Sequence, residues 1–226
     1  GGIAGGTGIS YIYASYNRGN ISGHTGVGGL IGSTRLGSDE LLFNNTLVKS
    51  CGNTGHVEGE SAVGGICGEA QFGCYAVYNT GEVTAHAHNS YIGGIVGNSS
   101  IAVVHNALNT GKMYGQNAES AGGVVGKTTW GAIFATQNFG DMNANANYAG
   151  GIIGLAGNYT MINYCCNTGF IQNGGKGPTG GLVGEIGDPR EWSAMNIVSC
   201  VLGSVECVLG LLGPVIAVTG EALEKA

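Results

Sequence analysis

The chain has 226 residues and a formal net charge of −6. Only 10% of its residues are charged, 43% are hydrophobic, and 46 glycines stand against 3 prolines. That content can bury a core and leaves no basic face for a phosphate backbone, so nucleic acid is not an expected partner. The glycines follow no Gly-X-Y period and travel with aliphatic residues, which excludes collagen and a disordered linker.

In chain order, the first element is a box of two glycines, two small or aliphatic residues and a glycine, Gly1-Gly2-Ile3-Ala4-Gly5. The chain thus opens inside a motif, as an excised piece of a longer protein would. The box returns at Gly28, Gly64, Gly93, Gly122, Gly150 and Gly180, and apart from one longer step the starts lie 27 to 30 residues apart. A second motif follows each box: Asn17-Arg18-Gly19, Asn53-Thr54-Gly55, Asn79-Thr80-Gly81, Asn109-Thr110-Gly111, Asn138-Phe139-Gly140 and Asn167-Thr168-Gly169. In the seventh copy Val201-Leu202-Gly203 stands in its place, as suits an atypical terminal repeat. Asn and Gly both tolerate positive φ, so the triplet reads as a turn, with a stacked Asn ladder as its competing role.

Two positions beyond each turn glycine come Ile21, Val57, Val83, Met113, Met142, Ile171 and Val205, and four beyond come mostly small residues, with polar ones between. This period of two predicts a half-buried strand. Five residues before each Asn, Ile12, Val48, Cys74, Val104, Ile133 and Ile162 predict an inward row on a second strand. The box aliphatics Ile3, Leu30, Ile66, Ile95, Val124, Ile152 and Leu182 predict a third. Three short strands per roughly 29 residues, with no helical period between them, predict an all-β parallel solenoid of about seven coils, wound right-handed by the crossover rule. Stacking would set like residues about 4.8 Å apart and bury aliphatic ladders worth roughly 1.5–3 kcal/mol per large side chain.

The paired boxes resemble the Glug repeat family, most fully at Tyr78-Asn79-Thr80-Gly81-Glu82-Val83 with Gly93 to Gly97, over residues 1 to about 207. Members of that family occur in bacterial surface and secreted proteins, including adhesins and non-catalytic parts of immunoglobulin A-cleaving metalloproteases. The resemblance implies an extracellular, secreted or cell-surface setting, further domains in the same chain, and a structural motif without catalytic residues.

Several constellations admit sharper readings. Ala121-Gly122-Gly123-Val124-Val125-Gly126-Lys127-Thr128 meets a relaxed phosphate-loop pattern and residues 175–180 meet GxGxxG, but no helix is expected after either, so both read as ordinary boxes and turns. Glu82, Lys112 and Asp141 follow the turn glycine in successive coils and form a candidate surface charge ladder; two carboxylates about 9 to 10 Å apart would suit a glycoside-cleaving pair, but the intervening lysine favours a solvated ladder. His86, His88 and His105 lack the further ligands a zinc site needs, and no cofactor or metal is expected. Cys166 and Cys200 occupy equivalent positions that permit a bridge, with stacked thiols the expected state. Tyr11, Tyr13, Tyr16, Tyr75, Tyr78, Tyr159 and Tyr164 gather near the second strand and its turn; their expected role is packing against neighbouring loops, with a carbohydrate- or protein-binding stripe as the alternative.

Two places break the repeat. The segment Thr34 to Lys49 lengthens one coil by about nine residues, and its Asp39, Glu40 and Phe43 form the candidate binding loop. Residues 208–226 are apolar at first, interrupted by Pro214 and glycines, too short to span a bilayer, and read as a cap on a solenoid of residues 1–207. Together these features predict a non-catalytic module that displays loops to a surface protein or glycan, or acts as a spacer. A carbohydrate-active β helix and the stalk of a surface metalloprotease are the alternatives.

Overall fold

A computed structural model describes residues 1–8, 10–34, 46–175 and 177–187. Over these residues the chain is all-β, a parallel solenoid with coils of about 29 residues, and its strands pair in parallel from coil to coil. Asp39, Glu40, Phe43, the Val201-Leu202-Gly203 copy and the 208–226 cap lie outside the described residues.

Each coil has three sides. The long side carries strands such as Cys67–Tyr75, Val96–His105, Val125–Phe134 and Ile153–Asn163, which belong to a 9-stranded sheet. The short side is a 6-stranded sheet of two-residue strands, Tyr16–Asn17, Gly52–Asn53, Tyr78–Asn79, Leu108–Asn109, Gln137–Asn138 and Cys166–Asn167, which counts six turns of the solenoid. The split side is a 10-stranded sheet in which most coils contribute two strands, as with Val57–Gly59 and Ala62–Gly64, and two coils fuse them into Met113–Gly122 and Met142–Gly150.

The inward row predicted after the turn is present in register, Ile21, Val57, Val83, Met113, Met142 and Ile171 lying one above the other on the split side. The other two predicted strands stay separate in the first two coils, as Ala4–Gly6 with Tyr11–Tyr13 and Ile31–Ser33 with Thr46–Lys49, and fuse into one in the coils from Cys67 to Asn163. Cys74, Val104 and Ile133 lie near the end of the same long strands that begin at Cys67, Val96 and Val125. The first box aliphatic, buried as Leu30, Ile66, Ile95, Val124 and Ile152, sits at the corner between split and long sides. The Asn strand supplies the third side.

The corner has this form because two motifs meet there. A Cβ on Gly65 would run into the Gly94 carbonyl oxygen of the next coil and the Asn79 carboxamide of its own; the same pair of obstacles faces Gly94, Gly123 and Gly151. None of these glycines has a left-handed φ, so close approach of backbone and amide excludes a side chain here. Each Asn then does what a turn former could not do alone. Asn53 Nδ2 donates to Asn79 Oδ1 at 2.9 Å and to the Gly55 carbonyl at 2.8 Å, while its Oδ1 accepts from Asn17 Nδ2 at 2.8 Å and from the Gly55 amide at 3.3 Å. The ladder continues from Asn79 to Asn109, Asn138 and Asn167 at 2.8–3.0 Å. Because the glycine N–H must meet an acceptor, the orientation of every such carboxamide is fixed and the ladder runs one way.

This polar seam divides the interior. One apolar cluster lies behind the long side, with Ile66, Ile95, Val124, Ile133 and Ile152, and another behind the split side, with Val57, Val83, Ile92, Met113 and Met142. The single continuous interior that the periodicity suggests is two cores joined by hydrogen-bonded amides.

Positive φ recurs in each coil at the residue three before each Asn, Ala14, Ser50, Ala76, Asn106, Ala135 and Tyr164, with φ of 46 to 55°. There the chain leaves the long sheet for the Asn strand. The next side chain secures the corner by bonding back across it, Ser15 Oγ to Tyr13 O, Cys51 Sγ to Lys49 O and Thr136 Oγ1 to Phe134 O at 2.9–3.1 Å. Alanine has no means of relieving the left-handed strain, which costs on the order of 1 kcal/mol.

Two outcomes follow in denaturant unfolding. Asn109→Ala orphans the Asn79 donor and the Asn138 acceptor, both fully buried, and should cost about 3 kcal/mol or more; a loss under about 1 kcal/mol would show the seam to be incidental. Ala76→Gly and Ala135→Gly should each raise stability by about 0.5–1 kcal/mol, whereas Gly at a position of ordinary φ lowers it.

Candidate functional site

The two broad faces of the solenoid differ in chemistry. The split side is polar and titratable. Glu58 binds His86 Nε2 at 2.7 Å and lies 3.8 Å from His56, whose Nδ1 is 3.5 Å from Glu82, and His24 pairs with Glu60 at 2.7 Å. All four pairs are solvent-exposed to a third or more on at least one partner, so screening limits what they add to stability.

Glu82, Lys112 and Asp141 do lie on successive rungs, beside the registered row Val83, Met113 and Met142. Glu82 turns to His56, and Asp141 Oδ1 accepts from the Phe170 amide at 2.9 Å. Among the described residues no ion pair joins Lys112 to either carboxylate. His105 stands apart from His86 and His88, in the long side between Tyr75 and Phe134.

The long side carries the other chemistry. In its register, strand length changes at one column only. No extra residue intervenes in Cys67–Tyr75; Ser100 and Thr129 are added in Val96–His105 and Val125–Phe134, with a further residue in Ile153–Asn163. The pairing shifts between Ala70 and Gln71 and between Thr128 and Trp130. The long second coil departs at the same column: its chain leaves the sheet after Ile31–Ser33 and rejoins it at Thr46–Lys49, with the backbone of Thr46 in register with residue 72. Thr34, at the departure point, is buried and accepts from the Gln71 amide at 2.7 Å. Bulges and insertions at one column leave the core rows in register while re-aiming what projects outward.

Ser100 and Thr129 at the column are exposed and polar, Glu69, Asn98 and Lys127 form the outward row before it, and beyond it stand several exposed apolar side chains. Ile101 and Trp130 are partners across the ladder and are 44% and 51% exposed, Met161 is 57% exposed, and Phe134 is 36% exposed. Along the far end of the strands the rings stack coil upon coil, Tyr75 on His105 at 5.9 Å, His105 on Phe134 at 5.3 Å and nearly parallel, and Phe134 edge-on to Tyr164 at 5.0 Å. Tyr11 and Tyr13 form a further exposed stacked pair in the first coil, and Tyr16 leans on Tyr78 at 6.2 Å. Of the expected aromatic group, Tyr11, Tyr13, Tyr16, Tyr75, Tyr78 and Tyr164 each meet another ring, and Tyr11, Tyr13, Tyr16 and Tyr164 are exposed. Sequence reasoning passed over Ile101, Trp130 and Met161. The signal was available in the spacing from each box to the inward aliphatic before the Asn, which lengthens from Cys67 and Cys74 to Val125 and Ile133 to Ile153 and Ile162.

The phosphate-loop and GxGxxG readings fail on context. Gly122 ends one strand, Val125–Phe134 follows as another, and the Lys127 ammonium lies 4.9 Å over the Tyr91 ring. Thr179–Gly180 is likewise a strand. Among the described residues no group of three or more His, Cys, Asp or Glu side chains could hold a metal ion, and no helix is long and apolar enough to cross a membrane.

Cys51, Cys67 and Cys74 are fully buried thiols, and desolvation pushes all three upward in pKa. Cys166 is disulfide-bonded, unlike the expected stacked thiols; Cys200 lies outside the described residues. A maleimide at pH 8 should therefore leave Cys51, Cys67 and Cys74 unmodified in the native protein and label them only with unfolding, as peptide mass mapping would show; rapid native labelling would contradict the burial.

No family model matches the sequence, and no curated protein matches it. Among solved structures the chain is similar to that of a "putative immunoglobulin A1 protease" from Bacteroides ovatus, at 19% identity and a TM-score of 0.61. The match covers 81% of this chain and 66% of that one, so the chain spans a little under two thirds of its length, and at this identity the likeness shows a shared solenoid fold.

Proposed function

We propose that the chain is a Glug-type extracellular module that binds a protein or glycan surface through the aromatic outer face of its long sheet, without chemistry of its own. The observation that carries this reading is the coincidence of two independent features on one face. All length variation in the long strands falls at one column; the exposed apolar residues Ile101 and Trp130 follow it directly, and Met161 lies two residues further along the strand. Exposed apolar surface gathered in a patch marks a contact site, and large rings bring contact area at low entropic cost. Asp39, Glu40 and Phe43 lie in sequence between Ile31–Ser33 and Thr46–Lys49, the strands on either side of this column in the second coil.

The fold shared with the Bacteroides ovatus structure supports a place beside a catalytic unit in a larger secreted or surface protein, where the solenoid would present or space that unit. In that arrangement the module is the non-catalytic part.

The test uses the whole chain with immobilised human immunoglobulin A1 and with a panel of neutral oligosaccharides as probes. A triple variant, Ile101→Ser with Trp130→Ala and Phe134→Ser, should lose at least about tenfold of any binding measured and keep the wild-type circular dichroism, since outward residues leave both cores intact. Glu82→Gln with Asp141→Asn should leave binding nearly unchanged. Binding that survives the triple variant and vanishes in the acid pair would move the site to the split face, and glycan cleavage abolished by the acid pair would make the protein an enzyme.

A further inference from the structure

Beyond the bulge column the outward positions of the long side fall into three rows along the solenoid axis. Ile101 and Trp130 are in register in the first, Gly73, Val103, Ala132 and Met161 in the second, and Tyr75, His105 and Phe134 in the third. Between the last two rows Cys74, Val104 and Ile133 turn inward and are buried. Large side chains stand in the outer rows and small ones in the middle of the second. The result is a shallow trough. Its floor is Val103 and Ala132, both partly exposed; one wall is Ile101 and Trp130, and the other is the stacked rings of His105 and Phe134.

Both ends of the trough are marked. A Cβ on Gly73 would come within 2.8 Å of Tyr75 Cε2, so the Tyr75 ring lies over the middle row at that rung. At the other end Met161 follows Ala132 in register and is exposed. From Gly73 to Met161 is three rung steps, about 14 Å, and the walls stand four residues apart along the strand, about 13 Å between their backbones.

Three constraints decide what fits. The strands under the floor are paired on both sides, so their amides and carbonyls are used in the ladder and offer nothing to a strand laid across them. An α-helix measures about 10–12 Å across with its side chains and would fill the width before either wall is counted. A sugar chain would cover hydroxyls against Val103 and Ala132, whose side chains give them no partner. The stretches 71–75, 101–105 and 130–134 also contain no Asp, Glu, Lys or Arg, so nothing there complements a charged ligand.

A polyproline II segment meets all of these conditions. Proline has no N–H to leave unpaired, its ring is apolar, and the conformation has no internal hydrogen bonds to compete with. One turn takes three residues and about 9 Å, close to the roughly 10 Å of two rungs. Aromatic-lined grooves hold such segments, whose stiffness before binding lowers the cost of ordering them. Because His105 and Phe134 stack nearly parallel at 5.3 Å, they turn ring edges outward, the positive side of the aromatic quadrupole, and Tyr75 adds a hydroxyl donor. Both suit the carbonyls of a proline-rich chain.

We propose that this trough receives an uncharged, proline-rich segment of a partner protein, about four residues in polyproline II conformation lying along the solenoid axis between Tyr75 and Met161. The proposal rests on the aromatic face being the binding surface, and it narrows the partner from a protein or glycan to a protein with an extended proline-rich stretch.

The experiment titrates the whole chain with acetylated, amidated nonaproline, with an uncharged Gly-Ala nonapeptide and with cellohexaose, and follows the amide and Trp130 indole signals by NMR. Nonaproline should bind saturably, shift the Val103, Ala132 and Trp130 signals, and bind at least about tenfold more tightly than the flexible peptide. Ala132→Phe adds a ring to the floor while leaving both walls and both cores in place, and should weaken nonaproline at least about tenfold with the circular dichroism unchanged. A surface that is only apolar would bind that variant as well or better. Phe134→Ala, which removes part of a wall without adding bulk, should weaken nonaproline likewise. Nonaproline that fails to bind, or that binds both variants as it binds the wild type, would overturn the proposal. Cellohexaose shifting these signals in its place would overturn it and leave the aromatic face standing. Immunoglobulin or glycan binding untouched by the triple variant of the face would remove the face and the proposal together.

Discussion

The structure depends on a buried row of asparagine carboxamides held against a row of glycine backbones. A primary amide has two donor hydrogens and an acceptor oxygen with two lone pairs. Here one donor and one lone pair are spent along the axis, and the other donor and lone pair on the turn glycine two residues on. No other side chain of that length meets the requirement. Aspartate brings no donor, glutamine would push its amide past the glycine corner, and leucine would leave the turn glycine N–H and carbonyl buried without partners. The box glycines complete the constraint, because any side chain at Gly65 or Gly94 would displace the amide that faces it. Motifs separated along the sequence are one device in space.

Once register is held by that seam, the apolar rows gain latitude. On the split side the row passes from valine to methionine without losing registry. Behind the left-handed corner, Cys51, Val77, Ala107, Thr136 and Cys165 succeed one another as buried residues of quite different polarity, and those bearing a thiol or hydroxyl satisfy it on a local carbonyl. Hydrophobic burial supplies most of the free energy of such a stack, but it is non-directional and would tolerate a slipped coil. Hydrogen-bonded amides do not tolerate it.

This division explains which parts of the fold could be read from sequence. Registered apolar residues after the turn were legible because period two is a property of a strand and survives in a single copy. Stacking was legible because the box repeats. The box itself invites a wrong reading, since aliphatics after two glycines look like a strand, and only the carbonyl of the next coil, absent from any linear pattern, makes Ile66 a corner residue. Asn was read first as a turn former because burial is a tertiary fact: Asn53, Asn79, Asn109 and Asn138 are wholly inside. Left-handed positions were illegible for a simpler reason. Alanine at 14, 76 and 135 has no preference for that conformation, so the corner geometry imposes it.

The candidate surface obeys a different rule from the core, and this is what makes it separable. A residue projecting from the long sheet, such as Trp130 or Met161, takes no part in the asparagine seam or in either apolar cluster. Extra residues such as Ser100 or Thr129 enter at a column where the ladder can bulge and close again before the next inward residue. Each coil can therefore change what it shows to solvent while repeating what it hides. A binding face made this way lengthens by one rung with every coil, so its reach along the axis is set by the number of repeats and its chemistry by substitutions that the core does not feel. The polar His and Glu groups of the split side follow the same logic with other residues, and the two faces stay distinct because the seam between the cores keeps every coil in the same rotation.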